Sequence, residues 1–296
     1  YTMTKQHAYI TTAIPYVNGL PHIGHAMDYM LADVWTRYQR QNGREVRFQT
    51  GVDEHGNKIA AKAASQNQTP QAYVDQMHGN FQNMIAELNI SATDFIRTTD
   101  PHHVSAVQYI WQKLAAAGYI YKGTYEGWYC QGCEAFVTDK EAAENNGICP
   151  DHQSPYQRLS EENYYFKTSA FSENIRQAIE SNKMKIAPEF RKKEFLELMK
   201  DGLKDVSVSR PRKNLSWGVP VPGDDTQVMY VWLDALSNYI TVIGYPDRAE
   251  EWQAFWPADV QVIGKDILRF HAGIWPAMLM ALDLPLPKVL LVHGFI

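Results

Sequence analysis

Residues 8–25 read AYITTAIPYVNGLPHIGH, and this stretch decides the fold. Its start, from Ala8 to Ala13, is rich in β-branched and aromatic side chains, which is typical of a strand. A turn rich in proline and glycine follows, and from about Ile23 to Gln41 apolar residues recur at three- and four-residue spacing, which predicts a helix. A strand that runs through a tight turn into a helix is the opening unit of an α/β fold built on a parallel sheet.

The rest of the chain repeats this alternation on both sides of a different middle region. Strands are predicted at 45–50, 260–264 and 289–293, with a strand-like run at 228–232, and helices at 57–66, 70–89, 102–117 and 265–282. The middle region, 118–225, carries short aromatic strand segments and paired cysteines. We therefore predict a Rossmann-like parallel sheet whose two halves are residues 1–117 and 226–296, separated by an inserted subdomain at 118–225.

The composition is that of a soluble globular protein. The chain has 296 residues, of which 45% are hydrophobic and 21% are charged, so it can bury a sizeable core without disulfides. It contains no apolar run long enough for a membrane span and no signal-peptide core near its start. We therefore expect a cytoplasmic protein with no membrane partner.

The charge of the chain is acidic overall but uneven. The formal net charge is −5, which argues against a generic nucleic-acid binder. Residues 183–213, however, contain ten Lys or Arg and only five Asp or Glu. Two interpretations of this basic stretch stay open, a solvated helical face and a local patch for a polyanion.

The cysteines have a spacing that is typical of a zinc site. Cys130 and Cys133 are separated by two residues, and fifteen residues later Cys149 is followed, again after two residues, by His152. Two short loops that each offer two thiolate or imidazole ligands suit tetrahedral zinc. Because four protein ligands leave no open position for water, we expect one structural Zn²⁺ per chain.

His22 and His25 open the first predicted helix and are the leading candidates for catalytic residues. The N-terminus of a helix carries unpaired N–H groups and a partial positive charge, and both favour phosphate. Histidines three residues apart can donate hydrogen bonds to the same anionic group. Gly24, which lies between them, leaves room for a planar base or a ribose against the backbone.

This constellation resembles the class I aminoacyl-tRNA synthetases. The surrounding residues, TTAIPYVNG at 11–19, narrow the resemblance to the methionine-specific family. Further segments agree with that family along the whole chain, namely GVDEHG at 51–56, YVWLDA at 230–235, IGKDI at 263–267 and VHGF at 292–295. The resemblance implies a HUP-type Rossmann-like sheet with a zinc-bearing connective-peptide insert.

The resemblance also implies a two-step reaction with L-methionine, ATP and tRNA(Met). Methionine and ATP would form methionyl-adenylate, and the methionyl group would then move to the 3′ end of the tRNA. As catalytic residues, His22 and His25 would stabilise the phosphate charge, and a Mg²⁺ would accompany ATP. The implied ATP-binding residues are His22, Gly24, His25, Gly264 and Asp266. Asp266 would bind the ribose hydroxyls, and a helix N-cap is the alternative role for it.

The implied amino-acid pocket would hold a thioether and a charged ammonium group. Asp53, at the end of the second strand, is the candidate for the ammonium, and Arg210 is its supporting partner, which would hold the carboxylate in place. The methionine-binding residues implied by the resemblance are Ala13, Ile14, Tyr16, Asp53, Trp232, Ala235, Tyr239, Ile267 and His271. Several share helix faces at i, i+3, i+7 or i, i+4 spacing. Plain core packing is the alternative role for Trp232 and Ile267.

One feature of the family is missing from the sequence. The Lys-Met-Ser-Lys-Ser signature follows the 292–295 segment in relatives and is not present here. We therefore expect an N-terminal catalytic fragment that binds methionine but is impaired in ATP activation and in tRNA charging. Three alternatives stay open: a class I synthetase for another apolar amino acid, the cysteine-specific relative, and a non-catalytic tRNA- or metal-binding module derived from the fold.

Overall fold

The structure is a computed structural model that describes residues 6–130, 135–137, 139–150 and 152–296. Within these ranges the helices are α1 (Ile23–Gln41), α2 (Asn57–Ser65), α3 (Pro70–Glu87), α4 (Pro101–Ala116), α5 (Asp139–Glu144), α6 (Ser172–Glu180), α7 (Glu189–Leu198), α8 (Val231–Thr241), α9 (Ala249–Phe255) and α10 (Trp275–Ala281). The strands are β1 (His7–Thr12), β2 (Glu45–Val52), β3 (Asp94–Arg97), β4 (Ile120–Cys130), β5 (Ala135–Val137), β6 (Gln157–Phe166), β7 (Lys185–Ala187), β8 (Val206–Ser207), β9 (Ser209–Pro211), β10 (Gln227–Met229), β11 (Val260–Gly264) and β12 (Val289–His293).

A parallel sheet of six strands, in the order β3-β2-β1-β11-β12-β7, forms the centre of the described structure. β1 lies in the middle, where Ile10 pairs with Phe48 of β2 on one side and with Val260 of β11 on the other. This confirms the predicted α/β class. The strand order reverses between β1 and β11, and in such sheets ligands bind in the crevice at the carboxyl ends of the strands on either side of the reversal.

Most of the predicted elements of this sheet are confirmed, with ends within about two residues of the prediction. Two strands, β3 and β7, were not predicted. They contain four and three residues, which is too few for an alternating pattern to be recognised in a sequence. Both are edge strands, and their positions depend on pairing with β2 and β12 rather than on a local pattern.

The segment predicted as an insert, 118–225, contains elements of two sheets. β4, β5 and β6 form a separate antiparallel sheet with β8, and β4 and β6 pair along almost their whole length. β7, however, pairs with β12 of the central sheet. Apolar residues of α6, such as Ile175 and Ile179, pack into the same core as Ile263 of β11. Within the predicted insert, α6 and β7 therefore pack with the central sheet, whereas β8 pairs with the antiparallel sheet.

Two predicted elements differ in detail. The strand-like run at 228–232 is divided, since β10 ends at Met229 and α8 begins at Val231. The helix predicted at 265–282 consists of a 3-10 turn at Lys265–Ile267, a π-helical turn at Phe270–Ile274 and α10. Hydrophobic periodicity cannot distinguish these helical types, and π turns are frequently found at functional sites.

The basic stretch at 183–213 is partly neutralised by its own neighbours. Lys192 is buried, and its Nζ donates to Oδ1 of Asn182 at 3.0 Å. Arg191 pairs with Glu194, one turn further along α7. These contacts favour the interpretation of this stretch as an ordinary helical face.

The largest hydrophobic core lies between the central sheet and the helices packed around α8 and α10. Tyr9 of β1 and Trp275 of α10 are fully buried in it. The hydroxyl of Tyr9 donates to the backbone carbonyl of Tyr239 at 2.8 Å, which ties α8 to the central strand. Within the described residues, every helix is too short or too polar to cross a lipid bilayer.

Candidate active site

A cavity of about 610 Å³ opens where the strand order reverses, at the carboxyl ends of β1 and β11. Its walls come from the turn after β1, the start of α1, the end of β2, α8 and the helical turns after β11. The predicted site residues that line it are Ala13, Ile14, Tyr16, His22, Gly24, His25, Asp53, Trp232, Ala235, Tyr239, Gly264, Asp266, Ile267 and His271. The fold thus brings together every residue predicted to bind ATP or methionine, although these residues span most of the chain.

His22 and His25 cap the N-terminus of α1 with their ring nitrogens. The backbone N–H of Gly24 donates to Nδ1 of His22 at 3.1 Å, and the backbone N–H of His22 donates to Nδ1 of His25 at 3.2 Å. Because both Nδ1 atoms accept, the proton of each neutral ring lies on Nε2. The rings stack with 3.7 Å between centroids. The helix N-terminus therefore carries two neighbouring Nε2–H donors at its positive end.

His25 acts as a neutral donor at physiological pH. Burial, together with the nearby His22, lowers the pKa of His25 to about 4. Its ring therefore stays uncharged near neutrality and offers an N–H group without a formal charge. This arrangement positions an anion by hydrogen bonding and by the helix dipole.

Two glycines, Gly24 and Gly264, leave room for the side chains of His22 and Asp266. A Cβ at Gly24 would lie 2.9 Å from Cε1 of His22, and one at Gly264 would lie 2.7 Å from Oδ1 of Asp266. Both contacts are too short for a real side chain. Asp266 is exposed on the cavity wall, and the described hydrogen bonds do not include a capping bond from its carboxylate.

Asp53 enters the cavity from the end of β2. It is 5% exposed, and its backbone N–H donates to the carbonyl of Pro15 at 2.8 Å. Burial, reinforced by the negative charge of Asp234, raises the pKa of Asp53 well above its ordinary value. A carboxylate in this environment gains most from a cationic ligand, because the ligand offsets both the burial and the like charge.

An apolar wall of the cavity comes from α8. Trp232, Ala235 and Tyr239 line the cavity from one helix face, as their spacing predicted. Trp232 stacks on Phe270 of the π turn with 3.5 Å between ring centroids. Its ring is therefore held in a fixed orientation and is not simply part of the core.

Tyr239 and His271 form a fixed, uncharged polar pair in the same cavity. Nδ1 of His271 lies 3.0 Å from the carbonyl oxygen of Ile267, which can only accept, so Nδ1 carries the proton. Nε2 of His271 therefore accepts from the hydroxyl of Tyr239 at 2.6 Å. Burial lowers the pKa of His271 to about 4. An uncharged aromatic pair of this kind suits a polarisable thioether better than a charged group.

The chain matches the family model of the class I tRNA synthetases (M) over residues 8–160 and 152–296. The chain belongs to this family. It is 46% identical over 296 residues to the methionine–tRNA ligase of Brucella melitensis, covering 99% of this chain and 57% of that protein. It is also 46% identical over 287 residues to the methionine–tRNA ligase of Rickettsia bellii, covering 97% of this chain and 56% of that protein.

A solved structure agrees with this assignment to the class I tRNA synthetases. Mycobacterium tuberculosis methionyl-tRNA synthetase in complex with methionyl-adenylate superposes with a TM-score of 0.88 at 41% identity, covering 98% of this chain and 57% of that chain. The chain thus spans little more than half the length of the relatives that it matches.

Some residues that line this cavity were missed by the sequence analysis. Asp28 and His293 both line the cavity, and Oδ1 of Asp28 is hydrogen-bonded to Nε2 of His293. This bond joins α1 to the end of β12, and it raises the pKa of His293. The one signal available was the position of Asp28, three residues after His25 on the same helix face.

Arg210 lies beside the main cavity rather than in it. It lines a neighbouring cavity, where its guanidinium donates to Oγ of Ser207 and to the carbonyl of Ser209 and lies 4.2 Å from the ring centroid of Tyr230. Among the described residues it makes no ion pair with Asp53. Its supporting role for Asp53 therefore stays a prediction.

The predicted zinc ligands of the synthetase converge at the end of β4. Sγ of Cys130 and Sγ of Cys149 lie 3.9 and 3.7 Å from Nδ1 of His152. The ligand atoms of all three residues lie within 4.8 Å of one another. Zinc bonds of about 2.1–2.3 Å in a tetrahedral site separate the ligand atoms by roughly 3.5–3.8 Å, so these residues fit a zinc ion. Cys133, the fourth predicted ligand, lies outside the described residues.

Proposed function

We propose that this chain is the methionine- and ATP-binding part of a methionine–tRNA ligase, which forms methionyl-adenylate and passes the methionyl group to tRNA(Met). The observation that carries the proposal is the single cavity that combines two histidine donors, an exposed and a buried carboxylate, and an apolar wall. The names of the relatives support the same activity. Because the chain spans about 57% of those relatives, the activity of the whole protein belongs to the proposal.

ATP would lie against the N-terminus of α1, with its ribose towards Asp266. A carboxylate oxygen of methionine attacks the α-phosphorus, and the bond to pyrophosphate breaks as the new P–O bond forms. Negative charge develops on the phosphate oxygens during this displacement. The Nε2–H groups of His22 and His25 are already oriented by their capping bonds, so they would stabilise that charge without reorganising.

Mg²⁺ would enter this site with ATP. Among the described residues, Cys130, Cys149 and His152 form a cluster of metal-binding side chains. This cluster suits zinc. Mg²⁺ is commonly held by substrate phosphates with few protein ligands. A cytoplasmic location is part of the same proposal, because a reducing compartment keeps zinc-binding thiols from forming disulfides.

The ribose contact gives a direct test of the ATP subsite. We expect the Gly264→Ala protein to bind ATP about tenfold more weakly, because the new Cβ displaces the carboxylate of Asp266 and a hydrogen bond to a charged group is lost. Gly294→Ala is the matched control, since Gly294 also lines the cavity and a Cβ there meets nothing within 4 Å. Equilibrium dialysis with labelled ATP measures both, and equal affinities would contradict the role of Asp266.

Calorimetric titration with amino acids tests the proposal as a whole. We expect saturable binding of L-methionine, and weaker binding of leucine by at least about tenfold, because apolar shape differences are worth about 1–3 kcal/mol. Cysteine has a shorter side chain than methionine and would bury less apolar area, so we expect it to bind more weakly still. Preferred binding of leucine or cysteine would reject methionine as the substrate, and binding of no amino acid would reject the site.

A further inference from the structure

Behind the cavity wall, three buried side chains form a continuous hydrogen-bonded chain, called here the His–Asp–His chain (His55, Asp234, His103). Nδ1 of His55 lies 2.7 Å from Oδ2 of Asp234, and Nε2 of His103 lies 2.9 Å from its Oδ1. The three residues are 6%, 1% and 0% exposed. The chain joins the segment after β2 to α8 and α4, so three elements meet at one carboxylate.

The central carboxylate of this chain is ionised. Burial by itself would raise the pKa of Asp234, but His55 and the hydrogen bond from His103 lower that pKa to about 2. Burial alone would likewise lower the pKa of His55, but the charge of Asp234 raises it above its ordinary value. A buried ion pair of this kind is costly to form and persists only where its hydrogen bonds are satisfied.

The His–Asp–His chain lies directly next to the groups that would hold methionine. His55 follows Asp53 by two residues, and its backbone N–H lies 3.4 Å from Oδ1 of Asp53. Asp234 lies in α8 between Trp232 and Ala235, which line the cavity. The chain thus connects the segment that carries Asp53 to the helix that carries the apolar wall.

The charges around Asp53 leave it short of one cation. Of the two buried carboxylates, Asp234 contacts the rings of His55 and His103, whereas Asp53 contacts only the backbone N–H of His55 among the described residues. Four titratable groups act on Asp53 or lie next to it. Glu54 and His55 belong to its own segment, Tyr16 to the turn after β1, and Asp234 to α8. Glu54 is already paired with Arg97. An arriving ammonium group would supply the missing positive charge.

We propose that His55, which Asp234 holds in place, is a positioning residue for the amino-acid substrate, whereas His103 only anchors the other side of Asp234 to α4. The hydrogen bond between His55 and Asp234 ties the segment of Asp53 to α8, and a protonated His55 favours ionised Asp53. Because burial raises the pKa of Asp53 and the ammonium group binds the ionised form, substrate binding near or below that pKa is accompanied by release of a proton from Asp53. This inference rests on the proposed function, because the ligand it concerns is the amino acid held by Asp53.

Two matched variants test this positioning role. His55→Gln and His103→Gln each remove one imidazole from the same carboxylate, but only His55 lies next to Asp53. We expect His55→Gln to weaken methionine binding about tenfold at pH 7 and to move the pH of half-maximal affinity up by about one unit. His103→Gln should stay within about twofold of the unmodified protein, with the same pH midpoint. Equal changes of methionine affinity and of the pH midpoint in both variants, or no change in either variant, would overturn the proposal.

Two measurements remain informative if a variant fails to fold. Calorimetry of the unmodified protein in two buffers of different ionisation enthalpy counts the protons released on methionine binding between pH 5 and 8, and a count of zero throughout would refute the coupling. Nitrogen-15 NMR of the His55 ring in ligand-free protein needs no substrate. We expect Asp53→Asn to lower the pKa of His55, because Asp53 helps to raise it. The NMR measurement uses no ligand, so it tests the positioning role separately from the assignment of methionine as the substrate.

Discussion

Asp53→Asn is expected to weaken methionine binding by about 100-fold or more. The substitution keeps the shape of the side chain but removes the charge opposite the ammonium group, and losing one member of a buried charge pair costs about 2–5 kcal/mol. Asp53 is 5% exposed, so water cannot readily replace the lost interaction. Isothermal titration with L-methionine at pH 7 measures the effect directly.

The pH dependence of the same variant distinguishes a charge effect from a general disruption. Ionised Asp53 binds the ammonium group, and burial raises the pKa of Asp53. The affinity of the unmodified protein should therefore fall as the pH drops through this raised pKa, whereas Asp53→Asn should show no such fall. Asp75→Asn is the control, because the side chain of Asp75 is half exposed and pairs with Arg97 outside the cavity. Unchanged methionine affinity in Asp53→Asn would sink the assignment of the ammonium site.

Removing the zinc is expected to unfold the end of the insert while leaving the central sheet intact. Cys149→Ser should carry much less than the roughly one zinc per chain expected of the unmodified protein. Hydrogen exchange in α5 and at the Cys130 end of β4 should become about 100-fold faster or more, because the free energy of metal binding stabilises this region directly. Elemental analysis and exchange mass spectrometry measure the two effects.

Gln153→Asn is a matched control for the metal site, since it changes an exposed neighbour of His152 whose side chain, within the described part of the chain, donates to the carbonyl of Pro150. It should keep the metal and the exchange protection of the unmodified protein. The central strands β1 and β11 pair elsewhere in the molecule, so their protection should survive in both variants. A metal-free protein with normal protection in α5 would show that Cys130, Cys149 and His152 do not form a structural zinc site.

The unit from β1 to α1 was predicted in detail because its signals are local. The β-branched run, the turn and the first helical residues follow one another within residues 8–25. The capping role of His22 and His25 also depends on neighbours only three residues apart. The zinc spacing is local in the same sense, since short loops hold each pair of ligands.

Other features could not be predicted because they depend on contacts between distant residues. β7 was hidden inside the region assigned to the insert, and only its pairing with β12 makes it a strand of the central sheet. The bond between Asp28 and His293 joins residues 265 positions apart. Arg210 is held by its own strand and by Tyr230, which no spacing in the sequence indicates.

The sequence by itself determined the fold class and the helix N-terminus that carries the phosphate-type donors, because patterns of spacing and capping act over a few residues. The identity of most cavity residues came from the resemblance to a known family. Only the tertiary structure decided that these residues share one cavity, because a parallel sheet brings the ends of β1, β2 and β11 to the same edge. It also decided the charge state of Asp53 and of the His–Asp–His chain. Burial and the distance to neighbouring charges set the pKa of a carboxylate, and both exist only once the chain has folded.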